Sequence, residues 1–131
     1  MGFFFKDKKE QKKVNASATG VISQEALSFY KKGRTFFKEE SFDQAIKDFK
    51  SAIKESQNYV EAYISLGECF YHKADYTKAL KYYNKALKLK EDLPTIYNNL
   101  AITYKKLNNN KKAVQNYQKA IELDPENIKL K

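Results

Sequence analysis

The chain repeats itself every 34 residues without an insertion. Small residues recur at Gly33, Gly67 and Ala101, at Ala45, Ala79 and Ala113, and at Ala52, Ala86 and Ala120. Aromatic residues recur at Phe29, Tyr63 and Tyr97, at Phe36, Phe70 and Tyr104, and at Phe49, Tyr83 and Tyr117. A repeat of about 20–50 residues is typical of stacked supersecondary units that cannot bury their apolar faces alone. The sequence therefore predicts three such units, residues 26–59, 60–93 and 94–127.

Each unit has the pattern of two amphipathic helices. In the second unit, Tyr63, Gly67 and Phe70 are spaced to lie on one stripe of a helix. The second half of that unit repeats the spacing with Ala79, Tyr83 and Ala86. Small residues allow two helices to approach closely, and the large rings beside them fill the remaining space. This predicts an antiparallel helix pair in every unit.

Capping residues place the helix ends. Ser41, Asp75 and Asn109 share one repeat position and are good N-cap types, and Ser41 with Gln44 matches a capping box. Ser23 is predicted to cap the first helix, and Pro94 suits a first helical turn. The predicted helices span 24–38, 42–56, 60–72, 76–90, 94–107 and 110–123, with about one turn of a further helix at 126–131.

These residues resemble a three-unit tetratricopeptide repeat array over residues 26–127. The second unit carries the family pattern at Tyr63, Leu66, Gly67, Phe70, Ala79, Tyr83 and Ala86, and the third at Tyr97, Leu100, Ala101, Tyr104, Ala113, Tyr117, Ala120 and Pro125. The first unit departs from it, with Lys32 in place of Leu and Gln57 in place of Pro. The resemblance implies an all-α fold, a right-handed solenoid of three antiparallel helix pairs.

The resemblance also implies a function. Members of the family use a concave face, lined by the first helix of each pair, to hold peptides or partner segments. On the family geometry we expect the partner-binding residues to be Tyr30, Arg34, Phe37, Ile64, Ser65, Glu68, Tyr71, His72, Asn98, Asn99, Ile102 and Lys105. One subclass grips the terminal carboxylate of chaperone tails with Lys, Asn and Arg side chains. The equivalent positions here do not match; they are Tyr30, Arg34, Ser65, Thr95 and Asn99.

Nothing in the sequence favours catalysis. It has no Gly-rich phosphate loop, no CxxC and no pair of histidines at metal-ligand spacing. Glu68 and His72 lie one helical turn apart, which an acid–base or metal site could use, but a surface or groove pair is the favoured interpretation. Cys69 is predicted to be packed in the interior. We therefore expect a non-enzymatic adaptor for a protein or peptide partner, with no cofactor and no metal.

The net charge of +9 raises the question of nucleic acid. Arg34 is the only arginine among the 25 basic residues, and arginine is the residue that reads guanine edges and stacks on bases. The lysines are also spread over all three units, which favours solvated helix faces. Nucleic acid is therefore a disfavoured partner, and RNA binding stays as a third hypothesis.

Residues 1–22 differ from the rest of the chain. Phe3, Phe4 and Phe5 precede a basic stretch that contains Lys6, Lys8, Lys9, Lys12 and Lys13. Rings beside clustered lysines suit an anionic membrane surface. The predicted organisation is thus a tail and linker at 1–22 and a repeat domain at 23–131. The alternative function is a peripheral membrane adaptor that uses residues 1–13.

Compartment and self-association complete the sequence predictions. No apolar run reaches the about 18 residues of a membrane span, and the single cysteine excludes an intrachain disulfide. We expect a cytoplasmic protein, with the membrane periphery as the alternative location.

The last helix has a broad apolar surface, from which we expect weak homo-oligomer formation through the C-terminal end. Its residues are Ala113, Val114, Tyr117, Ala120 and Ile121.

Overall fold

The structure, a computed structural model, describes residues 21–126 and contains six α-helices. They are α1 (Gln24–Lys38), α2 (Phe42–Glu55), α3 (Val60–His72), α4 (Tyr76–Leu89), α5 (Pro94–Lys106) and α6 (Asn110–Leu123). No strand occurs in this part of the chain. The predicted all-α fold is confirmed, and every predicted helix boundary lies within one residue of the observed one. Residues 1–20 of the predicted tail, including the membrane-contact segment 1–13, and the turn predicted at 126–131, except Glu126, lie outside the described residues.

Three of the four predicted N-caps form. The side chains of Ser23, Asp75 and Asn109 each accept a hydrogen bond from the backbone N–H three residues ahead, at 3.1–3.2 Å. The predicted capping box is wrong, because the side chain of Ser41 makes no capping hydrogen bond in the described structure. The backbone at Ser41 has ψ 69°, close to Asp75 and Asn109 and unlike the extended 160° of Ser23. At that angle the longer Asp and Asn side chains reach the N–H, and the shorter serine does not.

The caps give a matched pair of variants. Replacing Asn109 with alanine removes a real capping bond and should lower the free energy of unfolding by about 1 kcal/mol. Ser41→Ala, at the equivalent repeat position, removes no bond and should change stability by less than about 0.5 kcal/mol. Urea unfolding followed by circular dichroism measures both. Equal losses in the two variants would contradict the observed difference between the caps.

The same backbone turn joins the helices of each pair. Glu40, Ala74 and Asn108, spaced 34 residues apart, have positive φ of 60°, 61° and 62°. The residue after each donates its N–H to the carbonyl five residues earlier at 2.9 Å, the bond that closes a Schellman motif. The left-handed position usually takes glycine, so three other residue types there show that the helix pair dictates this conformation.

Two compact units make up the chain, with the boundary between Ala62 and Tyr63. In the first, α1 packs against α2, and Phe49 of α2 is fully buried. A Cβ atom added to Gly33 of α1 would lie 2.6–3.0 Å from three carbons of the Phe49 ring. Only glycine therefore allows this approach. A buried cluster continues from this contact, with Ala26, Ala52, Tyr59 and Ala62 at its centre and Ile22, Phe29, Tyr30 and Ile53 packed around it.

The second unit repeats this packing. A Cβ atom on Gly67 of α3 would lie 2.5 and 2.8 Å from Cδ1 and Cζ of Tyr83, and closer still to Cε1. Tyr83 belongs to α4, so its ring lies directly on the backbone of α3. The helix α4 also contacts α5, and α5 packs against α6. Cys69 is buried, as predicted.

Candidate partner-binding site

The three predicted residues of α1 are all half-buried and lie among aromatic rings. The centroid of the Tyr30 ring is 5.0 Å from that of Tyr59 and 5.6 Å from that of Phe49. The guanidinium carbon of Arg34 is 4.7 Å from the centroid of the Phe37 ring, within cation–π distance. Tyr30 therefore contributes to the packing of the first unit, and Arg34 covers Phe37.

Five predicted residues of α3 and α5 come together at one pocket of about 140 Å³. They are Glu68, Tyr71 and His72 from α3, with Asn99 and Ile102 from α5. The sixth lining residue is Tyr83 of α4, which sequence analysis assigned to the interior only. Its ring reaches the pocket because Gly67 lets it lie against α3. The recurring glycine–tyrosine pair in the sequence predicts this close packing, but spacing alone does not show that the buried ring also borders a pocket.

Helical spacing and ring contacts position the side chains on the α3 side of the pocket. Glu68 and His72 are four residues apart, so they lie on the same face of α3. The Tyr71 ring stands edge-on to His72, with centroids 5.7 Å apart, and to Tyr76 at 5.5 Å. These contacts present a carboxylate, a phenol and an imidazole on one side of the pocket.

The hydrogen bonding of the Asn99 side chain distinguishes this residue of the pocket. The side-chain nitrogen of Asn99, Nδ2, is buried and has no hydrogen-bond partner among the described residues. The backbone carbonyl of the same residue accepts a 2.7 Å hydrogen bond from the Thr103 hydroxyl. A buried N–H without an acceptor costs about 1–3 kcal/mol. The folded protein thus keeps an unused donor on a residue that lines this pocket.

Burial and charge act together on Tyr83. Burial raises the pKa of the Tyr83 hydroxyl, and the nearby Glu68 carboxylate, Tyr71 and Cys69 raise it further. The phenol therefore stays protonated over the physiological pH range and can donate or accept a hydrogen bond.

The other predicted residues do not line this pocket. Ile64 and Asn98 are half-buried, and Lys105 is exposed. Ser65 is 2% exposed, which leaves little of its side chain for a partner in this conformation. Binding by these residues stays a prediction.

A second, wider hollow lies beside the α4–α5 turn, with a volume of about 460 Å³. It is lined by Asn84, Leu87, Lys88, Glu91 and Tyr97. The Tyr97 hydroxyl donates to the carbonyl of Glu91 at 3.0 Å, so its polar group is already bonded. None of the predicted partner-binding residues lies there.

The apolar surface predicted on α6 is only partly exposed. Ala113 and Ala120 are buried, whereas Val114 and Ile121 are 52% and 43% exposed. The exposed part therefore consists mainly of two aliphatic side chains. Self-association through this end stays a prediction.

Residues 21–126 contain neither a metal-binding cluster nor a membrane-spanning helix. No group of three or more His, Cys, Asp or Glu side chains is placed to hold a metal ion. No helix within that range is long and apolar enough to cross a membrane.

Comparison with known proteins shows the family to which the chain belongs. Two family models, both described as Tetratricopeptide repeat, match residues 30–94 and 94–127. The chain belongs to the tetratricopeptide repeat family. The resemblance seen in the sequence is thereby confirmed. A comparison with curated protein sequences gave no match.

Solved tetratricopeptide repeat structures share the fold. The first such domain of Spaghetti (RPAP3), bound to HSP90 peptide SRMEEVD, superposes with a TM-score of 0.78 at 22% identity, covering 81% of this chain and 84% of that one. The tetratricopeptide domain of Arabidopsis OM64 gives a TM-score of 0.77 at 18% identity, with coverages of 82% and 90%. MamA gives 0.74 at 25% identity, with 79% of this chain and 61% of the MamA chain covered.

Proposed function

We propose that this tetratricopeptide repeat protein is a non-enzymatic adaptor that binds a segment of another protein at the pocket of α3, α4 and α5. The observation that carries the proposal is the buried, unpartnered Nδ2 of Asn99. Every residue of a polypeptide offers a backbone carbonyl, which is an acceptor for such an N–H. A bound segment would therefore remove the cost of the unused donor, and this difference between the free and bound states favours binding.

The size and lining of the pocket suit one side chain of that segment. Its volume of about 140 Å³ compares with the about 150 Å³ of an engineered cavity that holds a benzene molecule. Ile102 and the ring of Tyr71 provide apolar surface beside the polar groups, whereas Tyr83, which is 2% exposed, contributes little of its own surface. Most small binding sites combine apolar walls with a few placed polar atoms in this way. The segment would thus place its main chain at Asn99 and one side chain in the pocket.

Structural neighbours support binding of a peptide in general but not of the same peptide. The Spaghetti domain is bound to a peptide from HSP90 that contains two glutamates and an aspartate, SRMEEVD. In the present chain, four of the five positions equivalent to the chaperone-tail clamp are Tyr30, Ser65, Thr95 and Asn99, which carry no positive charge, and the fifth is Arg34. We therefore propose a partner other than an acidic chaperone tail.

The test compares two neighbouring asparagines on α5. The partner is first captured with the intact chain, identified by mass spectrometry and produced for calorimetric titration. Asn99→Ala should weaken its binding about tenfold or more, since a hydrogen bond at a desolvated site is lost. Asn98→Ala is the matched comparison. Asn98 is half-buried on the same helix and does not line the pocket, so its loss should weaken binding less than the loss of Asn99 does, even if Asn98 contacts the partner as the family geometry predicts.

The free protein provides the second half of the same test. Because Nδ2 of Asn99 is unpartnered, Asn99→Ala should leave the melting temperature of the free chain unchanged or slightly raised. Weaker binding of the partner without a lower melting temperature would show that Asn99 acts in binding and not in folding. An Asn99→Ala variant that binds the captured partner as tightly as the parent would show that the pocket is not the binding site.

A further inference from the structure

The helix α4 carries charge of a single sign. Its charged residues are all lysines, and all of them are exposed. They are Lys78, Lys81, Lys85 and Lys88. The helices α2 and α6, which hold the equivalent place in their repeats, carry both lysine and acidic side chains. The basic charge that the sequence spreads over all three units is therefore gathered on this helix within the second unit.

Helical spacing places these lysines on one side of α4. Successive residues of an α-helix turn by about 100°, so the four lysines fall within an arc of about 80°. They extend over about 15 Å of the helix axis, at about 1.5 Å per residue. Tyr83 lies on the opposite side of the same helix, where its ring contacts α3 and lines the pocket. We call the four lysine side chains the lysine face.

Most of the lysine face has no acidic partner in the folded chain. Lys78 is 3.8 Å from the Asp75 carboxylate, whereas Lys81, Lys85 and Lys88 form no salt bridge within residues 21–126. One exposed ion pair contributes little, but adjacent charges of one sign act together on a ligand of the opposite sign. The lysine face therefore offers three ammonium groups to an anionic partner.

The hollow beside the α4–α5 turn adjoins the lysine face, because Lys88 belongs to both. Leu87 and Tyr97 supply apolar surface to this hollow, and both are half-buried. Its volume of about 460 Å³ is larger than the about 150 Å³ that holds a benzene molecule, so a large apolar side chain fits in it. An apolar anchor point and a row of positive charges thus lie side by side.

The contacts of Tyr82 disfavour nucleic acid as the anionic partner. Single-stranded nucleic acids bind by stacking their bases on aromatic rings. The Tyr82 ring is already stacked on Phe70, with centroids 5.4 Å apart and planes 4° from parallel. The ammonium groups of Lys81 and Lys85 lie over the same ring, 5.7 and 5.6 Å from its centroid. The ring is therefore occupied by side chains of the protein itself.

The shape and lining of the hollow favour a protein segment over a membrane. A bilayer surface is flat and does not fill a hollow, and the exposed Glu91 carboxylate beside it would repel anionic lipids. A polypeptide instead has backbone N–H groups for Glu91 and an apolar side chain for Leu87 and Tyr97. Its acidic side chains can lie at the lysines at the same time.

We propose that the lysine face and the adjoining hollow form a second docking surface, which binds an acidic segment of a protein that carries one large apolar side chain. The carboxylates of the segment pair with Lys81, Lys85 and Lys88, and the apolar side chain enters the hollow. This surface lies on the side of α4 opposite to Tyr83, so it is separate from the pocket of the proposed function. The inference goes beyond that function, because an adaptor that joins two proteins needs two surfaces.

Short peptides test the inference without knowledge of the partner. The intact chain, labelled with nitrogen-15, is titrated with an acetylated peptide of alternating aspartate and glutamate that ends in phenylalanine amide. The backbone amides of Leu87, Lys88 and Tyr97 should shift in a saturable way, whereas those of Glu68 and Ile102 at the pocket should not. A peptide with alanine in place of phenylalanine should bind about tenfold more weakly, because the apolar anchor is lost. A peptide with asparagine and glutamine in place of the acids should also bind at least about tenfold more weakly.

Two triple variants of equal net charge locate the binding. The first combines Lys81→Gln, Lys85→Gln and Lys88→Gln, and it should weaken binding of the acidic peptide at least about tenfold. The second replaces three exposed lysines of α2 and should weaken that binding less than about threefold. Its substitutions are Lys47→Gln, Lys50→Gln and Lys54→Gln. Glutamine is nearly as good a helix former as lysine, and the amide spectra report whether each variant keeps its fold.

Several results would overturn the inference. Equal losses in the two triple variants would assign the binding to the overall charge of the protein, and equal binding of the amide peptide would show that carboxylates are not selected. Tighter binding of oligouridine or of phosphatidylserine vesicles, lost in the first triple variant, would assign the lysine face to RNA or to a membrane. Absence of shifts with the acidic peptide would also refute it. The proposed function is decided separately, by the affinities of Asn99→Ala and Asn98→Ala for the captured partner.

Discussion

Replacing Phe49 with alanine should lower the free energy of unfolding by about 3–5 kcal/mol. The side chain is fully buried, its ring lies directly against the backbone of Gly33, and the Tyr30 ring is 5.6 Å away. Loss of the ring would leave a cavity that cannot close, because α1 and α2 are tied by the turn at Glu40. Since domains of this size are stable by about 5–15 kcal/mol, a large part of the stability would be lost. Chemical denaturation at several urea concentrations measures the change.

Phe42→Ala is the matched control for this variant. Phe42 is the first residue of α2 and is half-buried, with its ring centroid 5.5 Å from that of Phe37. The same atoms are deleted, but solvent already reaches the site, so the loss should be clearly smaller than for Phe49→Ala. Similar losses in the two variants would mean that the Phe49–Gly33 contact is not the centre of the first unit.

Replacing Gly67 with leucine should destabilise the second unit by about 3 kcal/mol or more, at or above the upper end of the usual cost of overpacking. Even a single Cβ atom at this position would overlap the Tyr83 ring. Leucine brings three further carbons into a space that does not exist, so α3 and α4 would have to separate. The gain in helix propensity on replacing glycine, about 1 kcal/mol, is too small to offset this. Thermal unfolding by circular dichroism would show a lower and broader transition.

A double-mutant cycle tests the cause of that loss. Tyr83→Ala removes the ring that the new side chain would overlap, so in that background Gly67→Leu should cost far less than in the parent. The coupling between the two positions should exceed about 1 kcal/mol, as is usual for residues in contact. Additive losses would indicate that Gly67 is needed for some reason other than the approach of Tyr83.

The helices could be predicted because their signals are local. Apolar periodicity, Pro94 in a first turn and the caps at Asp75 and Asn109 act within one or two turns of the chain, and the structure confirms them. The recurrence of small residues every 34 positions likewise determined where helices approach each other, since only glycine or alanine permits such contact. The family and the all-α fold follow from this repeated pattern.

The wrong capping-box prediction at Ser41 shows that residue type and spacing alone do not determine whether a cap forms. Residue type and spacing matched a capping box, yet the turn sets a backbone angle at which a serine side chain is too short to reach the helix N–H. That angle comes from the way the two helices of the pair meet, and the same angle recurs at Asp75 and Asn109. The geometry of the pair therefore decides which capping residues work.

The candidate site depended on tertiary structure most of all. Sequence alone determined the repeat, the helix pairs and a set of side chains on the first helix of each pair. Only the tertiary structure brought Glu68, Asn99 and Tyr83 to one pocket, left Nδ2 of Asn99 without an acceptor and buried Ser65. The physical reason is that helical periodicity specifies a face within one helix, whereas a pocket depends on how the side chains of three helices pack against one another.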